Sequence, residues 1–168
     1  TPNTISFTYD TYILANRTGK ALTKAGGDTW FFLTSDYAFG HALERDTAAV
    51  VTANGGKVLG GVKHPINSSD FSSFLLQAQA SKSKVVGLAN AGGDTTNAIK
   101  QASEFGIVAG GQKLAALLLF INDVHSLGLK TAQGLTFTES FYWDQNEATR
   151  AFSKRFAALA SKNAMPSM

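Results

Sequence analysis

Short apolar runs at Trp30-Phe31-Phe32-Leu33, Lys57-Val58-Leu59, Val85-Val86-Gly87-Leu88 and Leu114 to Phe120 recur about every 28 residues. The stretches between them have helical rather than alternating spacing. Phe71, Phe74, Leu75 and Ala78 fall at i, i+3, i+4 and i+7, which predicts a helix with one apolar face. Phe39, Leu43, Val50 and Val51 follow the same pattern less cleanly, and Ala148, Phe152, Phe156 and Leu159 predict a last helix. Asn54-Gly55-Gly56 and Gly106 stand where helices end in a left-handed residue. Ser68-Ser69-Asp70 and Asp94 stand where side chains can accept the free amide hydrogens of a helix start. Two more strands are expected, at Gly134 to Ser140 and at Ile5 to Tyr9. Uniformly apolar strands joined by helices mean βαβ crossovers. The expected fold is α/β: a doubly wound parallel sheet with helices on both faces, as a single layer over residues 1–168.

Composition narrows the function. Hydrophobic residues are 44% and charged residues 16% of the 168, which excludes disorder and fibrous repeats. The net charge of +3 is spread evenly, with eight Lys+Arg against six Asp+Glu in residues 1–84 and seven against six in 85–168. Without a basic cluster, no nucleic-acid partner is expected. The lack of cysteine removes disulfide scaffolds, thiolate zinc sites and cysteine nucleophiles, and leaves the compartment open. No apolar run reaches the roughly 20 residues that span a bilayer, so no direct membrane insertion is expected. The opening at Thr1-Pro2-Asn3, without an initiating Met, predicts a piece of a longer or processed chain.

In open parallel sheets, ligands lie beyond the carboxyl ends of the strands. That singles out four loops: 34–40, 63–69, 90–96 and 120–123. In Ala91-Gly92-Gly93 the backbone is nearly bare and can approach a ligand, and the helix starting near Asp94 aims free amides at the same place. Tyr37 and Phe39 supply an apolar wall. Each residue has a plainer role beside this one. Gly92-Gly93 can be a tight turn, Asp94 and Asp36 are expected first as helix caps, and Phe39 fits the apolar stripe of its own helix. Asn90 and Asn122 at strand ends can bond either loop backbone or ligand.

Catalytic and cofactor motifs are missing. No G-x-G-x-x-G follows a strand and no G-x-S-x-G elbow occurs. Arg17-Thr18-Gly19-Lys20-Ala21 lacks the Ser/Thr and the first Gly of a phosphate loop. His41 is expected on a solvated helix face, His64 in a loop before Pro65, and His125 on a short helix; they form no metal pair. Asp36, Asp94 and Asp123 at three strand ends keep open a receiver-like magnesium site. No catalytic residue, metal or cofactor is otherwise expected.

Five stretches in order carry a resemblance to a family. Thr34-Ser35-Asp36-Tyr37-Ala38-Phe39-Gly40 is similar to a D-x-x-[YF]-G stretch after a strand, and Ala53 to Val58 to a helix-end-to-strand step. Ser69-Asp70-Phe71-Ser72-Ser73-Phe74-Leu75 is similar to a D-F-[ST]-x-x-[LIF] helix start. Gln101 to Ile107 is similar to a Q-A-x-x-x-G-[IL] helix end, and Gly128 to Leu135 to a loop with a terminal G-[LM]. Together they resemble the solute-binding proteins of ABC transporters, in the branched-chain amino-acid binding class (type I).

The resemblance implies a non-enzymatic periplasmic protein. In that family two lobes close about a hinge on a small ligand, which is then delivered to a membrane permease. This chain would be one lobe, the second in sequence order, without the first lobe and the C-terminal return segment. Carried over by position, Phe39 matches an aromatic against the ligand that is often Tyr, so one hydroxyl is lost. Ala91 and Gly92 replace bulkier side chains, which implies a larger or flatter ligand such as an aromatic acid. Phe120 to Asn122 matches a loop where an acidic residue can meet a ligand ammonium. The ligand-binding set is therefore Tyr37, Phe39, Asn90, Ala91, Gly92, Asp94, Phe120 and Asn122, with an amino acid or aromatic acid as ligand. An effector-sensing domain of a regulator or receptor on the same fold is the alternative.

Overall fold

The computed structural model describes residues 3–5 and 9–160. The strand expected at Ile5 to Tyr9 runs through residues 6–8 and lies outside the described residues. The elements alternate as expected: α1 (Thr11–Lys24), β1 (Thr29–Ser35), α2 (Ala38–Ala53), β2 (Lys57–His64), α3 (Ser72–Ala80), β3 (Val85–Ala89), α4 (Gly92–Glu104), β4 (Lys113–Ala116), α5 (Ile121–Leu127), β5 (Leu135–Phe137) and α6 (Glu147–Leu159). All five strands pair in parallel in the order β2-β1-β3-β4-β5.

Two cores explain the apolar runs. Trp30, Phe32, Val85, Ala89 and Ala115 point to one face, under Leu14 and Leu22 of α1 and Leu43 and Val51 of α2. Phe31, Leu33, Val86, Leu88, Leu114 and Ala116 point to the other, under α3, α4 and α5. Alternate residues of the central strands thus feed opposite cores, which is why they read as unbroken apolar runs. Burying a side chain such as Trp30, Phe32 or Leu88 completely contributes about 1.5–3 kcal/mol each. Trp30 keeps its indole N–H satisfied inside that core, donating to the Gly27 carbonyl at 2.8 Å.

Strand and helix ends follow the local chemistry. Asp10 caps α1 by accepting from the Ile13 amide at 2.8 Å, and Asp70 accepts from Ser72 at 2.9 Å where α3 begins. Gly55 and Gly106 follow α2 and α4 with φ of 84° and 68°, as the sequence predicts. Four expectations need correction. Helix α1 carries only a sparse apolar stripe around Gly19 and was not predicted. Strand β2 runs on to His64, through the polar, glycine-broken stretch of an edge strand. Strand β4 stops at Ala116: Leu117 to Leu119 are buried, but by the turn into α5. Strand β5 covers only Leu135–Phe137 of the stretch Gly134 to Ser140.

The switch in strand order falls between β1 and β3, where the crossovers leave in opposite directions and a crevice opens at the carboxyl ends. Helix α2 begins hard against that point. A Cβ at Gly40 would collide with the Ser35 carbonyl oxygen and lie 3.1 Å from that of Ala89. Gly40→Ala is expected to lower stability by about 3 kcal/mol, as overpacking against fixed backbone does. Urea unfolding of the two chains measures it; an unchanged midpoint refutes the close packing of α2 on the strand ends.

Candidate functional site

A buried polar residue stands at the carboxyl end of each of β1, β2 and β3. Ser35 closes β1, His64 closes β2 and Asn90 follows β3, with relative exposures of 1%, 0% and 0%. The pairing brings Ser35 directly opposite His64. His64 Nε2 lies 3.3 Å from Ser35 Oγ and 3.2 Å from Asn90 Nδ2, and Asn90 Oδ1 accepts from the Thr95 hydroxyl at 2.7 Å. His64 Nδ1 lies 2.8 Å from the Pro65 carbonyl oxygen. The imidazole packs edge-on against Phe71, with ring centroids 4.8 Å apart, and against Phe74 at 6.0 Å. His64 is therefore not the loop residue expected from its place before Pro65 but the buried end of an edge strand.

Beyond this polar layer lie the loops. Tyr37 and Phe39 have ring centroids 6.0 Å apart, and Phe39, Ala91, Phe120 and Tyr9 all pack at the edge of the α1–α2 core. Phe120 meets Tyr9 at 5.6 Å. Tyr37 keeps 39% of its surface exposed, and Gly92, Gly93 and Asn122 are exposed too. The described loops thus leave an open shelf at the strand ends. Gly92 has φ +57°, a left-handed conformation that suits glycine, and open space beside it.

Two carboxylates expected as caps do other work. Helix α4 starts at Gly92 after Ala91, so Asp94 sits inside its first turn; its Oδ2 accepts from the Asn67 amide at 3.1 Å and ties the loop after β2 to α4. Helix α2 is preceded by Tyr37 without a side-chain cap, and Asp36 instead meets His41 Nε2 at 2.7 Å. Burial first, and the Asp94 carboxylate second, push the Tyr37 phenol above its ordinary pKa. Asp123 is the carboxylate that caps, accepting from the Phe120 amide at 3.0 Å at the start of α5. Glu139 accepts from Ile121 at 3.3 Å; its burial raises its pKa, the Ile121 amide opposes this, and Asp123 adds to it. Asp36, Asp94 and Asp123 each serve a separate partner, and among the described residues no three His, Asp or Glu side chains come together to hold a metal.

Of the expected set, Tyr37, Phe39, Ala91, Gly92, Phe120 and Asn122 reach the shelf or its rim, whereas Asn90 and Asp94 lie beneath it with their polar atoms engaged. Sequence reasoning missed Ser35, His64, Asn67 and Thr95. A signal was present: Phe31-Leu33-Ser35, Val62-His64 and Val86-Leu88-Asn90 each end an apolar face with one polar residue at a two-residue step.

A family model described as periplasmic binding protein matches residues 1–168. The chain belongs to the periplasmic binding protein family. This family is non-enzymatic, and the sheet with its helices is one lobe of its type I fold. No curated protein matches the chain. Among solved structures it is similar to a periplasmic binding protein from Burkholderia mallei, at 62% identity and a TM-score of 0.90 over 99% of this chain and 44% of that one. It is also similar to a branched chain amino acid ABC transporter periplasmic ligand-binding protein from Burkholderia xenovorans, at 36% identity and a TM-score of 0.86 over 96% and 43%. An amino acid ABC transporter substrate-binding protein from Pseudomonas fluorescens follows at 26% identity and a TM-score of 0.83, over 95% and 43%. The chain spans less than half the length of these binding proteins. No helix among its described residues is long and apolar enough to cross a membrane.

Two titrations probe the electrostatics of this lobe. Asp94→Asn removes one of the two causes acting on Tyr37, so its phenol is expected to ionise at lower pH in an ultraviolet-monitored titration, while the carboxamide oxygen of the variant can still accept from Asn67. Glu139 has a raised folded-state pKa, so its contribution favours the fold at low pH and is lost as pH rises through that pKa. Glu139→Gln keeps an acceptor for Ile121 without the charge, and is expected to raise the melting temperature slightly at neutral pH. The gain should vanish in acid, where the native carboxyl is already protonated.

Proposed function

We propose that this lobe is one wall of the ligand cleft in the solute-binding component of an ABC importer, working in the periplasm and handing its cargo to a membrane permease. In this reading it is the second lobe in sequence order, and the first lobe and a C-terminal return segment complete the protein. The observation that carries it is the shelf at the carboxyl ends of β1, β3 and β4, where Tyr37, Gly92 and Asn122 are exposed and Phe39, Ala91 and Phe120 are part-buried at its edge. Binding proteins of this architecture close two such walls on a ligand and exclude water.

The shelf suits a small organic acid, either an amino acid or an aromatic carboxylate. Phe39 and Phe120 offer apolar contact, and Tyr37 offers a ring with a phenol kept protonated. Ala91-Gly92-Gly93 leaves room for a flat ligand, and the first amides of the 13-residue α4 favour a carboxylate. Asn90 and Asp94 act from beneath: Asn90 joins His64 to Thr95 of α4, and Asp94 ties α4 to the loop after β2. The naming of the Burkholderia xenovorans and Pseudomonas fluorescens proteins as amino acid transporter components supports the class.

The test is a thermal-shift panel of amino acids and benzoates on the two-lobe protein that contains this chain. A ligand bound only by the native state raises its melting temperature. One class is expected to do so, and Phe39→Ala is expected to weaken that binding by about 1–3 kcal/mol in calorimetry, the contact of one aromatic side chain. A panel without any shift, or affinity indifferent to Phe39→Ala, counts against the assignment of this shelf.

A further inference from the structure

We infer that His64 is the positioning residue of the cleft wall: a buried neutral imidazole, protonated on Nδ1, that locks the carboxyl ends of β1, β2 and β3 to one another. The inference rests on the reading above only for what the wall presents to a ligand; the lock itself stands on the geometry of this chain.

The protonation pattern follows from the partners. A carbonyl oxygen can only accept, so the 2.8 Å contact with Pro65 places the proton on Nδ1. The Asn90 amide nitrogen can only donate, so its 3.2 Å contact makes Nε2 an acceptor, shared with the Ser35 hydroxyl at 3.3 Å. Asn90 is oriented for this by Thr95, whose hydroxyl donates to Oδ1 at 2.7 Å. Three strand ends thereby meet at one ring: β1 and β3 at Nε2, and the chain leaving β2 at Nδ1. Phe71 and Phe74 of the α3 region pack on the ring and keep the layer dry, which strengthens each bond in it.

The shelf loops after β1 and β3, and the loop after β2, hang from groups in this lock. Tyr37 follows Ser35 by two residues, and the Asp36 amide donates to the His64 carbonyl at 2.8 Å. Ala91 and Gly92 follow Asn90 directly. Asn67 follows His64 by three residues and is fastened to Asp94. Side-chain positions on a wall must hold to within a fraction of an ångström for recognition, and buried polar partners are what hold them.

The test uses the 168-residue chain and needs no ligand. Two-bond 1H–15N correlation of the His64 ring at neutral pH is expected to show a protonated Nδ1 and a bare Nε2; the opposite tautomer, or protons on both, overturns the inference. Native-state hydrogen exchange is then compared for the parent, His64→Leu and His64→Gln. Loss of the lock is expected to speed exchange about tenfold at the Asp36 and Asn67 amides. The Lys57 and Lys113 amides, at the far ends of the strands, should stay unchanged, and His64→Gln, which can still accept from Ser35 and Asn90, should recover most of the protection. Equal acceleration at both ends of the sheet would mean that His64 merely contributes to global stability, and the inference would fall. If His64→Leu does not fold, the ring nitrogens and His64→Gln decide the matter. The ligand panel above can fail while these results stand, and the converse.

Discussion

Strand β1 has a neighbour on each edge and a core on each face. It pairs with β2 from Thr29 to Ser35 and with β3 from Trp30 to Thr34, so its backbone donors and acceptors are committed on both sides. Its register is held by side chains as well as by backbone. Phe32 sits so close over Gly87 that a Cβ there would lie 2.8 Å from the ring, and Trp30 crowds the same spot at 3.2 Å. Because side chains alternate along a strand, sliding β1 by one residue would exchange its two sets of core residues and break both cores at once. That constraint fixes where the strands end, and the ends are where the chemistry lies.

The two faces of the sheet use those ends differently. On the α3–α4 face, Ser35, His64 and Asn90 terminate the apolar columns with polar groups that satisfy one another. An unmade bond in such a layer costs about 1–3 kcal/mol, so each member constrains the others. On the α1–α2 face the β1 column of Trp30 and Phe32 ends in buried Thr34, and the rings of Phe39 and Phe120 lie part-exposed at the edge of that core. One face carries the polar layer and the other the part-exposed rings.

What the sequence discloses depends on whether a residue's neighbours are local. Trp30 to Leu33 and Val85 to Leu88 are legible because strands buried on both faces need apolar residues at every position. Helix α3 is legible from Phe71, Phe74, Leu75 and Ala78, whose spacing is local. Edge strand β2 is not legible beyond Leu59, since Gly60, Gly61 and Lys63 face solvent or a bulge and carry no apolar signature. Helix α1 hides for a related reason: Gly19 reads as a break, yet it lies where Thr47 of α2 approaches to 3.3 Å of a Cβ position. Of the shelf, the aromatic and glycine positions were readable from the loops. His64 was not, because its three partners come from segments 25 to 30 residues away or turn on a backbone carbonyl, and only the parallel pairing brings them together. Asp94 and Asp36 were misread as caps because a carboxylate near a helix start has the same local signature whether it serves its own helix or a neighbouring loop.

A wall of this kind contributes to binding through what it does not have to do. Ordering loops on association costs about 0.5–1.5 kcal/mol for each side chain immobilised, and that cost comes out of the affinity. In the proposed cleft, the Ser35–His64–Asn90–Thr95 layer would hold the loops after β1 and β3 in place before a ligand arrives, leaving the free energy of contact with that wall available for closure. Closure about a hinge also demands that each half move as a unit; a wall that deformed on contact would absorb the motion instead of transmitting it. In the two-lobe reading proposed for the protein, the stiffness would belong in the strand ends and the freedom in the hinge. A parallel sheet with its polar termini fastened to one imidazole meets the first requirement without restricting the second.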